Sequence, residues 1–250
     1  ETALRNVLEQ LRIWYEGKII PDLILTNYVY DHHSYVDGVH VVQHKPIRYK
    51  NMFKEGIFQN WDDMGLPRLD QLLMMHAMIY RTTLLRDEVQ LQLPHHTSYE
   101  DNLYVCVPLP YVKHIRYLNE DLYRYFIGRP DQSVNLSSLV KKVDNQLLVT
   151  REFLHAFDWD NLEPPRLRRY IVRHFIRLVA MCILPLSIRG QAEDKAKLDA
   201  LWDEIEAVDE DLYRKVRTHP FPLGQILLHK LGPDTRERVY RWIGKTWRFN

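Results

Sequence analysis

Short runs of β-forming residues alternate with turn residues over the first 136 positions of the 250-residue chain. The runs DLILTNYVY, VHVVQ, MMHAMIYRT and VKHIRYL predict strands at 22–30, 39–43, 74–82 and 112–118. Before them, ALRNVLEQLRIWYEGK has apolar residues at three- and four-residue spacing, which predicts an amphipathic helix over 3–18. We therefore expect the chain to open with an α/β portion in which a helix precedes the first strand.

Beyond residue 136 the apolar spacing becomes that of long helices. It predicts helices at 136–157, 165–186, 192–216 and 233–247, with prolines and a glycine between them. Two regions follow from this change of pattern, an α/β region over 1–136 and a helical region over 137–250. The expected fold class is α/β followed by α.

Composition and charge narrow the classes of function without selecting one. A chain with 46% hydrophobic and 27% charged residues is typical of a soluble globular protein with a sizeable core. Its 34 basic and 33 acidic residues nearly cancel, so no overall positive field favours nucleic acid as a partner. Cys106 and Cys182 lie in apolar runs, which favours a reducing, cytoplasmic location. No apolar run is expected to be long enough to span a bilayer.

The stretch HTSYEDNLY, over 96–104, places the carboxylates of Glu100 and Asp101 side by side where the hydrophobic pattern turns inward. One interpretation is helix capping, because the first turn has unpaired N–H groups and a positive dipole end. The other is a general base, because two carboxylates in a partly desolvated site raise one pKa toward neutrality. The two interpretations are compatible, since a capped helix is a rigid platform for a base.

The predicted strand 74–82 carries two further candidates. By alternation His76 shares a strand face with Met74 and Met78, and a lone histidine on such a face is more often a hydrogen-bonded core residue. Arg81, at the end of the strand, pairs with a carboxylate or with a phosphate, or is an ordinary solvated arginine.

The segment GRPDQSVN, over 128–135, joins a strand to a helix. Arg129, Gln132 and Ser133 could bind a diphosphate or sugar hydroxyls there through charge-assisted hydrogen bonds. A turn followed by a helix cap explains the same residues.

Motifs that hold a nucleotide or a metal are missing from the sequence. Neither GxGxxG nor GxxxxGK[ST] occurs. DxD patterns occur at 158–160 and 209–211, but both lie in or beside predicted helices, where acidic clusters are usually solvated or at helix ends. We therefore assign no metal ligand to the chain.

Four stretches together resemble a known family. They are TNYVYDHH (26–33), MMHAMIYRTTLLRD (74–87), the run from HTSYEDNLY to LYRYFIGRPDQSVN (96–135) and the ending KTWRFN. They are similar to the later half of bacterial family 2 glycosyltransferases, of the kind that add sugars to surface or capsular polysaccharides. The run LYRYFIGRPDQSVN is the most specific, and the resemblance covers about the whole chain.

The resemblance implies a fold and a reaction. The fold is the acceptor-side part of a GT-A mixed sheet with a C-terminal helical extension. It lacks the N-terminal half, which binds the nucleotide sugar and, through DxD, Mg²⁺ or Mn²⁺. The reaction is inverting transfer to a polysaccharide or lipid-linked acceptor, with Asp101 as general base beside Glu100. His76, Arg81 and the 128–135 loop are then expected near the substrates. The chain alone is expected to be inactive, and its uncovered sheet to favour homo-oligomers.

A non-catalytic interaction or membrane-docking module is the rival hypothesis. The segment PRLRRYIVRHFIRL, over 165–178, interleaves five arginines with apolar residues, and the C-terminal RERVYRWIGKTWRFN adds tryptophans. Basic amphipathic helices suit an anionic membrane surface, which would place the protein peripherally at the inner face of the membrane. A core-facing apolar stripe with a solvated basic face explains the same pattern.

Overall fold

The computed structural model describes residues 2–36, 39–68, 71–127 and 136–229. It divides into two compact units, which we call the sheet unit and the helical unit. The sheet unit comprises Glu1–Leu93, Tyr104–Asp131 and Glu163–Leu167, and the helical unit comprises Pro94–Leu103, Gln132–Leu162 and Arg168–Asn250. The predicted boundary after residue 136 separates the strands from the long helices. It differs from this division in assigning 94–103 and 132–136 to the first region and 163–167 to the second.

The sheet unit contains helix α1 (Thr2–Glu16) and a mixed sheet. The strands are β1 (Leu23–Val36), β2 (Val39–Ile47), β3 (Phe58–Gln59), β4 (Met78–Tyr80) and β5 (Ile115–Ile127). The order is β2-β1-β5-β3, with β4 also paired to β1. β1 and β5 run parallel, and the other pairs are antiparallel. The expected α/β class is thereby confirmed, at the level of a five-stranded mixed sheet accompanied by helices.

The sequence of the central strand β1 is almost continuously apolar at its start because the strand is buried there on both faces. Leu23 and Leu25 point to one face and Ile24 to the other, and all three are buried. α1 covers the second face by packing Val7 and Trp14 against Ile24. The sheet core is therefore closed on both sides of the first β1 residues.

A buried ion pair between Asp22 and Arg81 joins the start of β1 to the end of β4. Asp22 has a side chain that is only 8% exposed, and its Oδ1 lies 2.8 Å from Arg81 Nη2. Its Oδ2 accepts the backbone N–H groups of Lys113 and His114, both at 2.9 Å. Burial alone would raise the pKa of Asp22, but these hydrogen bonds outweigh it and the pKa is lowered. Asp22 is therefore a satisfied, ionised carboxylate.

The remaining helices differ in their bounds from the predicted ones. They are α2 (Asp101–Cys106), α3 (Leu136–Lys141), α4 (Val143–His155), α5 (Pro165–Arg189), α6 (Asp194–Val208), α7 (Glu210–Thr218) and α8 (Pro220–His229). The predicted helix 136–157 is broken at Lys142, and the predicted helix 192–216 is broken at Asp209. Asp209 caps α7 by accepting the Leu212 N–H at 2.6 Å. The predicted helix 233–247 lies outside the described residues.

Helix α5 corrects the expectation that no apolar run could span a bilayer. Its 25 residues are long and apolar enough to do so by length and composition. Most of its apolar stretch is nevertheless buried in the fold, with Phe175, Val179 and Cys182 fully enclosed. A core helix of a soluble protein passes the same test.

Arg81→Met is expected to destabilise the folded chain by about 3 kcal/mol, because it leaves the Asp22 charge buried and unpaired. The figure is at the low end for such pairs, since the Arg81 side chain is 29% exposed. Because the folded pKa of Asp22 is lowered, this stabilisation is complete above its unfolded pKa of about 4 and fades as the pH falls further. Denaturant unfolding followed by circular dichroism measures the loss.

The matched control is Arg86→Met. Arg86 pairs with Asp87 at the surface, where the two side chains are 69% and 52% exposed. That pair should contribute little. Equal losses for the two variants would contradict a structural role of the buried pair.

Candidate functional site

The acidic pair lies where an irregular segment passes into helix α2. The helix begins at Asp101, and Glu100 immediately precedes it. Just upstream the backbone is left-handed at His96 (φ 54°) and at Tyr99 (φ 76°). Left-handed backbone is uncommon in residues with a bulky side chain and costs about 1–3 kcal/mol, and it clusters at functional sites. The local strain thus marks the segment that presents the carboxylates.

The carboxyl group of Asp101 is partly withdrawn from water. Burial raises its pKa, and repulsion from the Glu100 carboxylate raises it further, whereas backbone N–H groups at Asp101 and Asn102 partly offset both effects. Burial also raises the pKa of Tyr99, and the charge of Asp101 adds to that effect. The result is a carboxyl group that accepts a proton more readily than an ordinary aspartate.

Asn102 connects the pair to a buried histidine of α5. Its Nδ2 donates to the carbonyl of Tyr99 at 2.8 Å and, over a longer 3.3 Å, to Asp101 Oδ1. Its Oδ1 lies 2.9 Å from His174 Nε2. Burial, together with the nearby charge of Arg177, lowers the pKa of His174 to about 3, so its ring is neutral at physiological pH.

The geometry agrees with both interpretations of the acidic pair. Asp101 is the first residue of α2, and the backbone N–H groups of Asp101 and Asn102 favour its ionised form, as expected of a carboxylate in the first turn of a helix. The same group has a raised pKa and a hydrogen-bonded support, which are the properties of a general base.

His76 does not lie on a strand, so the predicted alternation is wrong at this position. Met75–Ala77 form a 3₁₀ turn. The pairing of β1 with β4 ends here, and β1 pairs with β2 further along its length. The ring packs edge-on against Tyr28 at 4.2 Å between centroids and stacks on Tyr123 at 5.0 Å. Burial lowers its pKa to about 4. Within the described part of the chain its buried Nε2 has no hydrogen-bond partner, so His76 belongs to an aromatic cluster and is not a hydrogen-bonded core residue.

Arg81 pairs with carboxylates, which is one of its predicted alternatives. Its guanidinium contacts the carboxylates of Asp22 and Glu88, at 2.8 and 2.7 Å, and the hydroxyl of Thr83. These contacts account for the arginine without a substrate.

The structure brings only some of the predicted site residues together. The acidic pair belongs to the helical unit with Asn102 and His174, and His76 and Arg81 belong to the sheet unit. The other predicted binding residues, Arg129, Gln132 and Ser133, lie outside the described residues.

Two residues of the site were missed by sequence reasoning. Asn102 directly follows the acidic pair, and His174 is a lone histidine on the apolar side of α5. A histidine between buried apolar positions requires a polar partner, which is the signal that could have found it.

Comparison with known proteins adds no support for any function. No protein-family model, no curated protein and no solved structure matches the chain. Among the residues that the structure describes, no three His, Cys, Asp or Glu side chains are grouped so that they could hold a metal ion. The candidate site is therefore defined by the Asp101 carboxyl group and its neighbours.

Asp101→Asn is expected to stabilise the folded chain at pH 7. Because the folded pKa of Asp101 is raised, its ionised form is disfavoured in the folded state, and an amide of the same size removes that penalty. The denaturant midpoint of the variant should exceed that of the wild type at pH 7. The difference should shrink as the pH falls through the folded pKa and disappear well below the unfolded pKa of about 3.9, where the wild-type carboxyl group is protonated in both states.

Asp87→Asn is the control for this comparison. The hydrogen bond from Arg86 lowers the pKa of Asp87, so removing its charge should not stabilise the fold. A wild-type chain more stable than Asp101→Asn at pH 7 would contradict the raised pKa.

Proposed function

We propose that the chain is the acceptor-side part of an inverting glycosyltransferase of GT-A type, with Asp101 as its general base. The observation that carries the proposal is the partly buried carboxyl group of Asp101 at the start of α2. Its pKa is raised by burial and by the charge of Glu100. The sequence resemblance supplies the reaction class. The environment of the carboxyl group supplies the property that this reaction needs.

The proposed step is a single displacement. Asp101 removes the proton of an acceptor hydroxyl as the hydroxyl oxygen attacks the anomeric carbon of the donor sugar. The bond between that carbon and the nucleoside diphosphate breaks, its electron pair leaves with the diphosphate, and the configuration at the carbon inverts. Glu100 acts through its charge, which keeps the proton affinity of Asp101 high.

The partners are those that the resemblance implies. A nucleotide sugar is the donor, and a polysaccharide or lipid-linked saccharide is the acceptor, in the cytoplasm or at the inner face of the membrane. His76, Arg129, Gln132 and Ser133 are retained as substrate contacts. The resemblance also implies a divalent cation, Mg²⁺ or Mn²⁺, that accompanies the donor.

The membrane-docking alternative receives less support. The apolar residues of α5, among them Leu167, Ile171 and Phe175, are buried in their own units and do not form a surface. Of the basic residues between them, Arg166 and Arg169 are exposed, whereas Arg168, Arg173 and Arg177 are only partly exposed, and burial lowers the pKa of Arg177. These residues therefore do not form one continuous solvated face that could lie on a membrane.

In a protein that carries the nucleotide-binding half, Asp101→Asn is expected to lower kcat for sugar transfer by about 10²–10⁴-fold, because only the proton acceptor is lost. Donor binding should be unchanged, and the variant should remain folded. Asp87→Asn, at an exposed position of the sheet unit, should retain full activity. Near wild-type turnover by Asp101→Asn with a purified acceptor would exclude Asp101 as the base.

The proposal also accounts for an uncovered apolar surface on α1. Leu4, Leu8 and Tyr15 lie on one side of the helix and are 54%, 55% and 74% exposed. They continue the apolar face that buries Val7 and Trp14. Apolar surface of this kind favours association, and we assign it to a second copy when the chain is alone.

Leu8→Glu is expected to lower the mass of the isolated chain in light scattering to that of a monomer, because it places a charge in the contact surface. Ile13→Glu is the control, because Ile13 is equally exposed, at 55%, but lies on the opposite side of α1. A wild-type chain that is monomeric at every concentration would contradict self-association through this surface.

A further inference from the structure

The hydrogen bonds of Asn102 determine which nitrogen of His174 carries the proton. The carbonyl oxygen of Tyr99 can only accept, so the Asn102 atom 2.8 Å away from it must be the amide nitrogen. The Asn102 atom 2.9 Å from His174 Nε2 is then the amide oxygen, which can also only accept. His174 is therefore the donor in this contact, and its neutral ring is protonated at Nε2.

The surroundings of His174 would suit a phenylalanine better than a histidine. The ring is buried, it stacks on Phe153 with centroids 5.6 Å apart and planes 9° apart, and Tyr170 lies 6.3 Å away. Among the described residues its buried Nδ1 has no hydrogen-bond partner. A buried polar atom without a partner is unfavourable, so packing does not explain why position 174 is a histidine. The hydrogen bond from Nε2–H to Asn102 does explain it.

We infer that His174 is a positioning residue that acts on Asp101 through Asn102. Its Nε2–H holds the amide oxygen of Asn102, so that the amide nitrogen faces the Tyr99 carbonyl and Asp101 Oδ1, 3.3 Å away. The inference rests on the proposed role of Asp101 as the base. It adds that a side chain of α5, His174, which lies 72 residues after Asn102 in the chain, sets the orientation and proton affinity of that base.

Loss of this chain of hydrogen bonds should change the titration of Asp101. A donor to a carboxylate favours its ionised form, so an unanchored Asn102 should leave Asp101 with a higher pKa. The other titratable groups are Glu100 and Tyr99 beside the carboxyl group, and Tyr170 and Arg177 beside the His174 ring. Variants at position 174 leave all four in place.

Two variants separate positioning from packing. His174→Phe keeps an aromatic ring against Phe153 but has no donor. His174→Gln loses the ring but places an amide N–H close to the position of Nε2. If His174 positions Asp101, His174→Phe should be the damaging variant and His174→Gln should behave like the wild type. If His174 only fills space, His174→Gln should be the damaging variant and His174→Phe should behave like the wild type.

The experiment is a ¹³C NMR titration of the Asp101 carboxyl carbon in the full chain, with Asp101→Asn used to assign the signal. The midpoint should rise in His174→Phe and return toward the wild-type value in His174→Gln. Equal midpoints in the wild type and His174→Phe, with both folded by circular dichroism, would overturn the inference. His174→Phe decides the question even if His174→Gln does not fold.

Transfer kinetics separate this inference from the proposed function. In the protein with the nucleotide-binding half, His174→Phe should lower kcat by about 10- to 100-fold with little change in KM, as expected for a displaced catalytic group. If Asp101→Asn is inactive and His174→Phe is fully active, the positioning role alone is wrong. If Asp101→Asn is active, the proposed base is wrong, and the titration still decides whether His174 acts on Asp101.

Discussion

The desolvation of the Asp101 carboxyl group is the constraint on which the candidate site depends. A carboxylate withdrawn from water either takes up a proton or gathers charged and hydrogen-bonding partners. Among the described residues, the donors to Asp101 are neutral groups of the backbone and of Asn102, and its charged neighbour Glu100 has the same sign. The balance leaves a carboxyl group that is supported in position but not stabilised in its ionised form. That combination is useful to a base and costly to the fold.

Asp22 is also an aspartate withdrawn from water, but its pKa is shifted in the opposite direction. It is more fully buried, yet the pairing with Arg81 and two backbone N–H groups lowers its pKa. Because all of its acceptor positions are directed at donors of the sheet unit, Asp22 has a structural function. The partners, and not the burial alone, therefore decide whether the pKa of a buried carboxyl group is lowered or raised.

The sequence pattern was informative wherever a short stretch determines its own structure. The apolar run of β1 and the amphipathic helix α1 follow from periodicity, and both are present. β3 has two residues and no periodicity to detect. The breaks at Lys142 and Asp209 interrupt patterns that continue through them.

Features that depend on distant parts of the chain could not be predicted in this way. The 3₁₀ turn at His76 arises because β1 changes partners from β4 to β2, which the 74–82 stretch does not encode. The contact between Asn102 and His174 joins residues 72 positions apart. A single histidine on an apolar helix face suggests a partner but does not identify it.

The central claim is that Asp101 is a base whose proton affinity is raised by its surroundings. The pH dependence of kcat/KM for sugar transfer, measured for the wild type and for Glu100→Gln in a protein with the nucleotide-binding half, tests it most directly. Activity should fall on the acid side with a midpoint above the ordinary aspartate range. Removing the Glu100 charge should move that midpoint to lower pH, because the like-charge repulsion is lost. A midpoint that is the same in both proteins would contradict the account.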